Sequence, residues 1–380
     1  MTDNAPQLIV VPREPIPGEH RVAATPDTVK DLVARGFRVM VEPDAGAHAL
    51  LTDDAYRDAG ADVGAADLAA ADIVLHVRPL SPERIAALKP GAVTVGFATG
   101  DVNAARALRD GRITSLAMEL VPRISRAQSM DALTSQALVS GYRCVLEAAM
   151  RLPRFFPLFM TAAGTVPPAK VLVLGAGVAG LQAIATAKRL GAQVSANDIR
   201  SASADEVRSM GGTFIDLSLE SGDASGGYAK ELGADSAARQ QELLTPYLAK
   251  SDIVITTAGV PGRPAPRLVT AAMLAAMKPG SVVVDLLAEN GGNVEGSVPG
   301  EDVLTAGGIT IVGMKDAAST MPVDASKLYA KNIFNLLALG AKDGVFTLDL
   351  EDEVLDGACL THDGTVRHAP TAALLEGDAK

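Results

Sequence analysis

The sequence contains no tryptophan, and aromatic residues make up only 3% of its 380 positions. Its core must therefore be built from Ala, Val, Leu and Ile, as the cores of α/β proteins often are. Cysteine is nearly absent. Cys144 and Cys359 give neither a disulfide framework nor a metal-ligand spacing, which fits a reducing compartment. Positive charge is in deficit, with 34 Lys and Arg against 45 Asp and Glu and a formal net charge of −11. That balance argues against nucleic acid, whose phosphates need basic patches, and against an electrostatic grip on anionic lipid. No stretch reaches the ~18 apolar residues of a membrane span. The nearest, 155–169, is interrupted by Pro157, Pro167 and Pro168. The opening MTDNAPQL has no basic n-region and no apolar h-region, so no signal peptide is expected.

What is present is a long chain of ordinary globular composition, 48% hydrophobic and 21% charged. Single cores stop growing near ~250–300 residues, so two domains are expected. In the first third, QLIVV (7–11), FRVMVE (37–42), ADIVLHV (71–77), AVTVGF (92–97) and ITSLAM (113–118) read as buried strands. Helical stretches alternate with them, and Gly36 and Gly60 close two of these. The helical pattern SMDALTSQALVSGYRCVLEAAMRL and a Pro-rich connection lead to a second series. Its strands are KVLVLG (170–175), QVSAND (193–198), DIVITTA (252–258), SVVVDLLA (281–288) and ITIVGM (309–314). ASKLYAKNIFNLLALGA then reads as a returning helix, and the tail as a short strand pair turning at Asp363-Gly364. The expectation is α/β: two Rossmann-like domains with parallel sheets, joined by long helices, with a cleft between them. Their bounds are 1–130 with 327–380 for a discontinuous N-terminal domain, and 131–326 for the dinucleotide-binding one.

Within VLVLGAGVAG (171–180) lies G-x-G-x-x-G, with a strand before it and a helix, opened by Val178 and Ala179, after it. Gly175 permits the tight turn, Gly177 lets backbone approach a pyrophosphate, and Gly180 lets helix pack on strand. The helix N-terminus offers free N–H groups to phosphate. An acid is expected about 20 residues on, and Asp198 stands 18 residues after Gly180 (198 − 180). A carboxylate there bonds ribose hydroxyls and repels a 2′-phosphate, which favours NAD(H) over NADP(H). Ile199 and Arg200 follow it, and the cation weakens that preference. The alternative is a glycine turn that serves packing alone.

VPREPIPGEHRVAATP (11–26), PRISRAQSMDALTSQ (122–136), 160–192, GGYAKE (226–231) and MKPGSVVVDLLAENGGN (277–293) add a more specific signal. With them the chain resembles, over nearly its whole length, the family of alanine dehydrogenase and the nucleotide-binding alpha subunit of proton-translocating nicotinamide nucleotide transhydrogenase. PRISRAQSMDAL and GGYAKE resemble the transhydrogenase branch specifically. The resemblance implies direct hydride transfer between NADH on this chain and NADP(H) on another. It makes the loop Arg123, Ile124, Ser125, Gln128, Ser129, Met130 and Asp131 a cradle for nicotinamide and its ribose. Arg123 and Asp131 match carboxamide-orienting positions, and Gln128 matches a side chain that reaches toward the facing NADP. Thr134 stands where the family often has Ser. Gly227 and Tyr228 match the tip of a mobile lid, Gln240 a Gln near the nucleotide, and Gly259 a position that elsewhere carries a bulkier apolar residue.

Plainer readings exist for several of these residues. Ser125 and Gln128 fit an S-x-x-Q capping box that would start the long helix. Tyr228 after two glycines could be an idle loop, and Glu289 a solvated charge. For alanine dehydrogenase, the family uses a His after the fourth strand and an Asp near the fifth strand of the second domain. Here the first stretch reads ATGDVNAARAL and the second position is Glu289, although Arg21 or Arg78 could still hold a substrate carboxylate. His20, His48, His76, His362 and His368 show no useful pairing and read as surface or core residues. Hydride transfer between two nicotinamides needs no proton exchange at the reacting carbons, only held and oriented rings with water excluded. The transhydrogenase branch is therefore favoured over an amino-acid dehydrogenase and over a non-catalytic NAD(H)-binding module. The implied partners are membrane-spanning and NADP(H)-binding transhydrogenase subunits, together with a second copy in a homodimer. The chain would then be cytoplasmic and held at the inner membrane through those partners. No metal is expected.

Overall fold

The computed structural model describes residues 5–200, 202–217, 234–259 and 264–377. The chain divides into two compact units, Met1–Gln136 with Ser319–Lys380, and Ala137–Ala318. The boundaries thus fall at 136/137 and 318/319, six and eight residues away from the expected 130/131 and 326/327. The first boundary lies inside one helix, Ala132–Arg151, and the returning helix Pro322–Leu337 belongs wholly to the first unit.

Along the described residues the first unit begins with β1 (Leu8–Val11), β2 (Arg38–Val41), β3 (Asp62–Val63), β4 (Ile73–Leu75), β5 (Val93–Gly96) and β6 (Thr114–Ala117). The second contributes β7 (Phe159–Thr161), β8 (Gly164–Val166), β9 (Lys170–Leu174), β10 (Gln193–Asn197), β11 (Thr213–Phe214), β12 (Ile253–Thr256), β13 (Val282–Asp285), β14 (Asp302–Leu304) and β15 (Thr310–Gly313). The chain returns with β16 (Ala341–Lys342), β17 (Val345–Phe346), β18 (Cys359–His362) and β19 (Thr365–Val366).

The first unit's sheet runs β19-β18-β6-β5-β4-β1-β2-β3, and the second's runs β11-β10-β9-β12-β13-β15-β14. Pairing is parallel except at one edge of each sheet. β18 is antiparallel to β6 and β19 to β18, and β14 is antiparallel to β15. The central strands are buried along nearly their whole length, so they carry aliphatic side chains on both faces, as covered parallel sheets require. In β4, Ile73 and Leu75 join one apolar cluster while Val74 joins another, so each face of the sheet has its own core. The second unit repeats this, with Val171 and Val173 of β9 in one cluster and Leu172 and Leu174 in the other.

Local signals in the sequence act as expected. Gly36 and Gly60 take left-handed φ values of +94° and +96° just after their helices. Asp363 and Gly364, at φ +42° and +76°, turn β18 into β19. The Pro-rich connection departs from expectation: Phe159 to Val166 forms the hairpin β7–β8.

Candidate functional site

The glycine turn of the second unit lies between β9 and the helix Val178–Arg189. Gly175 has φ +96°, and a Cβ there would come within 2.9 Å of the Ala258 nitrogen. A Cβ on Gly180 would lie 1.9 Å from the Gly175 carbonyl oxygen, so the helix is seated directly on the turn. Gly177 differs from both: its φ is −73°, and an added Cβ would meet nothing within 4 Å. It is also the helix N-cap and supplies no side-chain acceptor, so no capping side chain covers the first N–H groups. Backbone donors at the positive end of a helix, beside an open glycine, form an anion seat suited to a pyrophosphate.

Asp198 follows β10 and closes this seat from the side. Its Oδ2 accepts from the Ala176 N–H at 2.7 Å, which ties the acid to the glycine turn. Arg200 lies against both carboxylate oxygens, with Nε 3.0 Å from Oδ1 and Nη2 3.1 Å from Oδ2. The Asp198 side chain is only 8% exposed. Ile199, between them, is half-buried. Gln240 is buried and reaches Asn197 Oδ1 at 3.4 Å, one residue before Asp198. Gly259 is exposed at the edge of the described backbone, and a Cβ there would lie 2.1 Å from Leu287 Cδ1. The neighbour is the end of a flexible side chain that can turn aside, so a larger residue could be accommodated here. Gly227 and Tyr228 lie outside the described residues.

Two polar groups next to the turn are not among the site residues singled out in the sequence. Thr257 donates its hydroxyl to the Gly175 carbonyl at 3.0 Å. Asp285, fully buried, accepts from the Asn293 and Val294 N–H groups, and Asn293 Oδ1 in turn accepts from the Ala258 N–H. The run Glu289-Asn290-Gly291-Gly292-Asn293 is visible in the sequence, but its working member is the final asparagine. Glu289 Oε2 accepts from the Asp316 N–H at 2.8 Å, so its carboxylate is engaged by backbone.

The loop Arg123 to Asp131 belongs to the first unit. Ser125–Met130 form a 3-10 turn with no side-chain cap, so Ser125 and Gln128 do not make the capping box. The long helix starts instead at Ala132 and is capped by Asp131. Asp131 Oδ1 accepts from the Thr134 N–H at 2.8 Å, and Oδ2 accepts from the Thr134 hydroxyl at 2.6 Å. Thr134 thus sets a hydroxyl against Asp131. Ala127 and Met130 point into the core, whereas Arg123, Ser125, Gln128 and Ser129 are exposed, and Ile124 is partly buried against the core.

The loop is held from below. Asn332 and Asn335 of the helix Pro322–Leu337 both donate to the Ser129 carbonyl, at 2.9 and 3.0 Å. Arg126 forks onto Asp352 at 2.8 and 2.9 Å. The clue in the sequence is a pair of asparagines three apart in the largely apolar run NIFNLLALG, which places them on one helix face.

The basic residues that could hold a carboxylate are committed elsewhere. Glu19 Oε2 lies 2.6 Å from Arg21 Nη2 and 2.7 Å from Arg78 Nε, and Arg21 Nη1 also bonds Gln136 at 2.9 Å. Burial alone would push the Glu19 carboxyl up, but Arg21 and then Arg78 outweigh it and hold it down at about 2. Burial pushes the neighbouring Glu14 up to about 7, although the Val77 N–H bonds it. Glu14, Glu19 and Arg21 border a cavity of about 250 Å³ that His20 and His48 also line. The two rings touch at the surface, tilted by 39° with centroids 4.7 Å apart.

Comparison with known proteins completes the picture. Residues 10–140 match the model for the alanine dehydrogenase/PNT N-terminal domain, and 144–369 match that for its C-terminal domain. The chain belongs to the alanine dehydrogenase/PNT family. Within this family it is 48% identical over 375 residues to an NAD(P) transhydrogenase subunit alpha chain of Rhodospirillum rubrum, covering 95% of this chain and 97% of that one. The alanine dehydrogenase of Bacillus subtilis is 31% identical over 297 residues, 76% of this chain and 72% of the relative. A crystal structure of transhydrogenase from Sinorhizobium meliloti superposes with a TM-score of 0.84 at 44% identity, covering 96% of this chain and all of that one. An L-alanine dehydrogenase structure shares the fold, with a TM-score of 0.79 at 24% identity. Identity is thus higher to these transhydrogenase chains than to these alanine dehydrogenases. Among the described residues, no helix is long and apolar enough to cross a membrane.

Proposed function

We propose that the chain is the NAD(H)-binding alpha subunit of a proton-translocating nicotinamide nucleotide transhydrogenase. It passes hydride directly between NADH held here and NADP(H) held on a partner subunit. The glycine turn Gly175 to Gly180 holds the pyrophosphate, with Val178 and Ala179 supplying helix N–H groups. Asp198, with Ile199 and Arg200, holds the adenosine ribose. Arg123 and Asp131 orient the carboxamide, Gln128 reaches toward the second nicotinamide, and Ile124, Ser125, Ser129 and Met130 shape the loop. Gln240 and Gly259 border the nucleotide, and Gly227 and Tyr228 close over it. The dinucleotide supplies the hydride itself. The chain's own residues bind it, orient it and keep water out.

The observation that carries this reading lies after β5. An amino-acid dehydrogenase needs a proton-exchanging side chain, because it makes an imine that water must hydrolyse, and the resemblance to alanine dehydrogenase implies a His at this place. In this chain the Ala98 and Thr99 N–H groups and the Thr99 hydroxyl all donate to Glu119 Oε1, and Asp101 caps the next helix. The segment is spent on structure. Arg21 and Arg78, the cations that a carboxylate substrate would require, both close on Glu19. The partners implied are membrane-spanning and NADP(H)-binding subunits, with a second copy of this chain, and the complex is held at the inner membrane.

The test mixes purified chain with the NADP(H)-binding partner domain and follows hydride transfer in single turnover. Transfer should occur, and L-alanine with NAD should give no NADH. Gln128→Asn shortens the reach by one methylene. It should slow transfer by up to ~100-fold while NADH binding changes little. Normal transfer in that variant, or failure chiefly through lost NADH affinity, refutes the role given to Gln128.

A further inference from the structure

Three strands of the first sheet turn polar side chains into one apolar layer. Thr94 of β5 and Ser115 of β6 are direct partners in the parallel register. Leu75 pairs with Val95, so His76, the next residue, returns to the face that Thr94 shares with Val74. Gly96 makes room for the imidazole: a Cβ there would lie 2.4 Å from His76 Nδ1 and 2.6 Å from Cε1. Leu80, Ile85 and Leu108 cover this face. Thr94 and His76 are 1% exposed, and Ser115 is 0%.

Each of these residues carries one polar atom that has no partner among the described residues: His76 Nε2, Thr94 Oγ1 and Ser115 Oγ. All three residues line a single cavity of about 10 Å³. The tautomer of the histidine follows from its other nitrogen. Nδ1 lies 2.7 Å from the Arg78 carbonyl oxygen, which can only accept, so Nδ1 carries the proton and Nε2 is an acceptor. Complete burial pushes the ring's pKa down to about 4, so it is neutral at physiological pH.

We propose that this cavity is a binding site for one water molecule, which donates to His76 Nε2 and bonds the Thr94 and Ser115 hydroxyls. About 10–15 Å³ is the space one water needs, and three partners is the usual number for a buried water. The volume excludes any larger ligand. The exposed lone pair on Nε2 disfavours an anion, and no carboxylate lines the cavity to hold a cation. The water becomes a further tether on His76, whose carbonyl already accepts the Tyr329 hydroxyl at 3.0 Å. His76 holds the Arg78 carbonyl, and Arg78 reaches Glu19, so the water braces the turn that delivers this arginine. The site is independent of the function proposed above.

Thermal unfolding of the full chain tests it, because the two states predict opposite signs. Thr94→Val and Ser115→Ala each remove one hydroxyl without adding bulk. If the water is bound, each variant should lower Tm by roughly 2–4 °C, the shift that one lost hydrogen bond produces in a unit of this size. If the cavity is dry, each deletion removes a buried unsatisfied group and Tm rises, which overturns the proposal. A high-resolution crystal structure gives the second readout. One oxygen-sized peak within about 3 Å of all three atoms supports the site, and a flat map there overturns it.

Discussion

The glycine turn offers a comparison in which two identical substitutions should fail for different reasons. At Gly180 an added methyl would sit 1.9 Å from the Gly175 oxygen and 3.0 Å from the Thr257 hydroxyl that bonds this oxygen. The first neighbour is backbone and cannot swing aside, so the helix Val178–Arg189 must lift off the turn. Overpacking of this kind costs about 1–3 kcal/mol. In a unit of this size that is a fall in Tm of roughly 2–12 °C. At Gly177 the added methyl meets nothing within 4 Å and φ is already −73°, so the fold tolerates it. The methyl does enter the space through which a pyrophosphate must reach the helix N–H groups. Gly177→Ala should therefore keep Tm within about 1 °C of wild type and weaken NADH by about tenfold or more, the loss of one good hydrogen bond to a charged group. Gly180→Ala should lose stability and binding together. Differential scanning calorimetry and a fluorescence titration of NADH measure the two quantities separately. If Gly177→Ala binds NADH as tightly as wild type, the pyrophosphate does not lie on this turn. If Gly180→Ala is as stable as wild type, the close seating of the helix is wrong.

Asp198→Ala should weaken NADH by about tenfold or more, since a charged hydrogen bond contributes ~1.5–3 kcal/mol. With Arg200 left behind, the gap between NADH and NADPH should narrow, and an unchanged ratio of their dissociation constants would count against the ribose role. Asn335→Asp keeps the shape of the side chain but replaces the donor to the Ser129 carbonyl with an acceptor. Single-turnover hydride transfer should slow by ~10–100-fold with NADH affinity unchanged, and a normal rate would mean that Gln128 does not depend on this clamp. Glu19 is held at about 2 in the fold against an ordinary 4.5. Its contribution to stability, on the order of 3 kcal/mol, is therefore present above pH 4.5 and lost as pH falls toward 2. Chemical denaturation across that range should show a loss in wild type that exceeds the loss in Glu19→Gln by about that amount.

Much of this protein is written in short stretches of its sequence. Ten strands announce themselves as aliphatic runs between helical patterns, because strands buried on both faces must be apolar throughout. The glycines at 36, 60, 175 and 364 mark positions where φ is positive, a local demand that the residue type records directly. Gly175, Gly180 and Asp198 are likewise readable, since strand, turn and helix follow one another in the chain. The remainder depends on residues far apart in sequence. Nothing near Ser129 says that Asn332 and Asn335 will grip its carbonyl, some two hundred positions away. Nothing near Glu19 says that Arg78, 59 positions on, will join Arg21 on its carboxylate. S-x-x-Q at Ser125 looks like a helix cap, but Asp131 caps that helix, because the core draws Ala127 and Met130 inward and fixes the turn before it. His20 and His48 are also brought into contact only by the fold. Local propensity and spacing set which elements form and where the phosphate turn lies. Which polar groups are spent on each other, and which are left for a ligand, is decided only when packing brings distant segments within hydrogen-bonding distance.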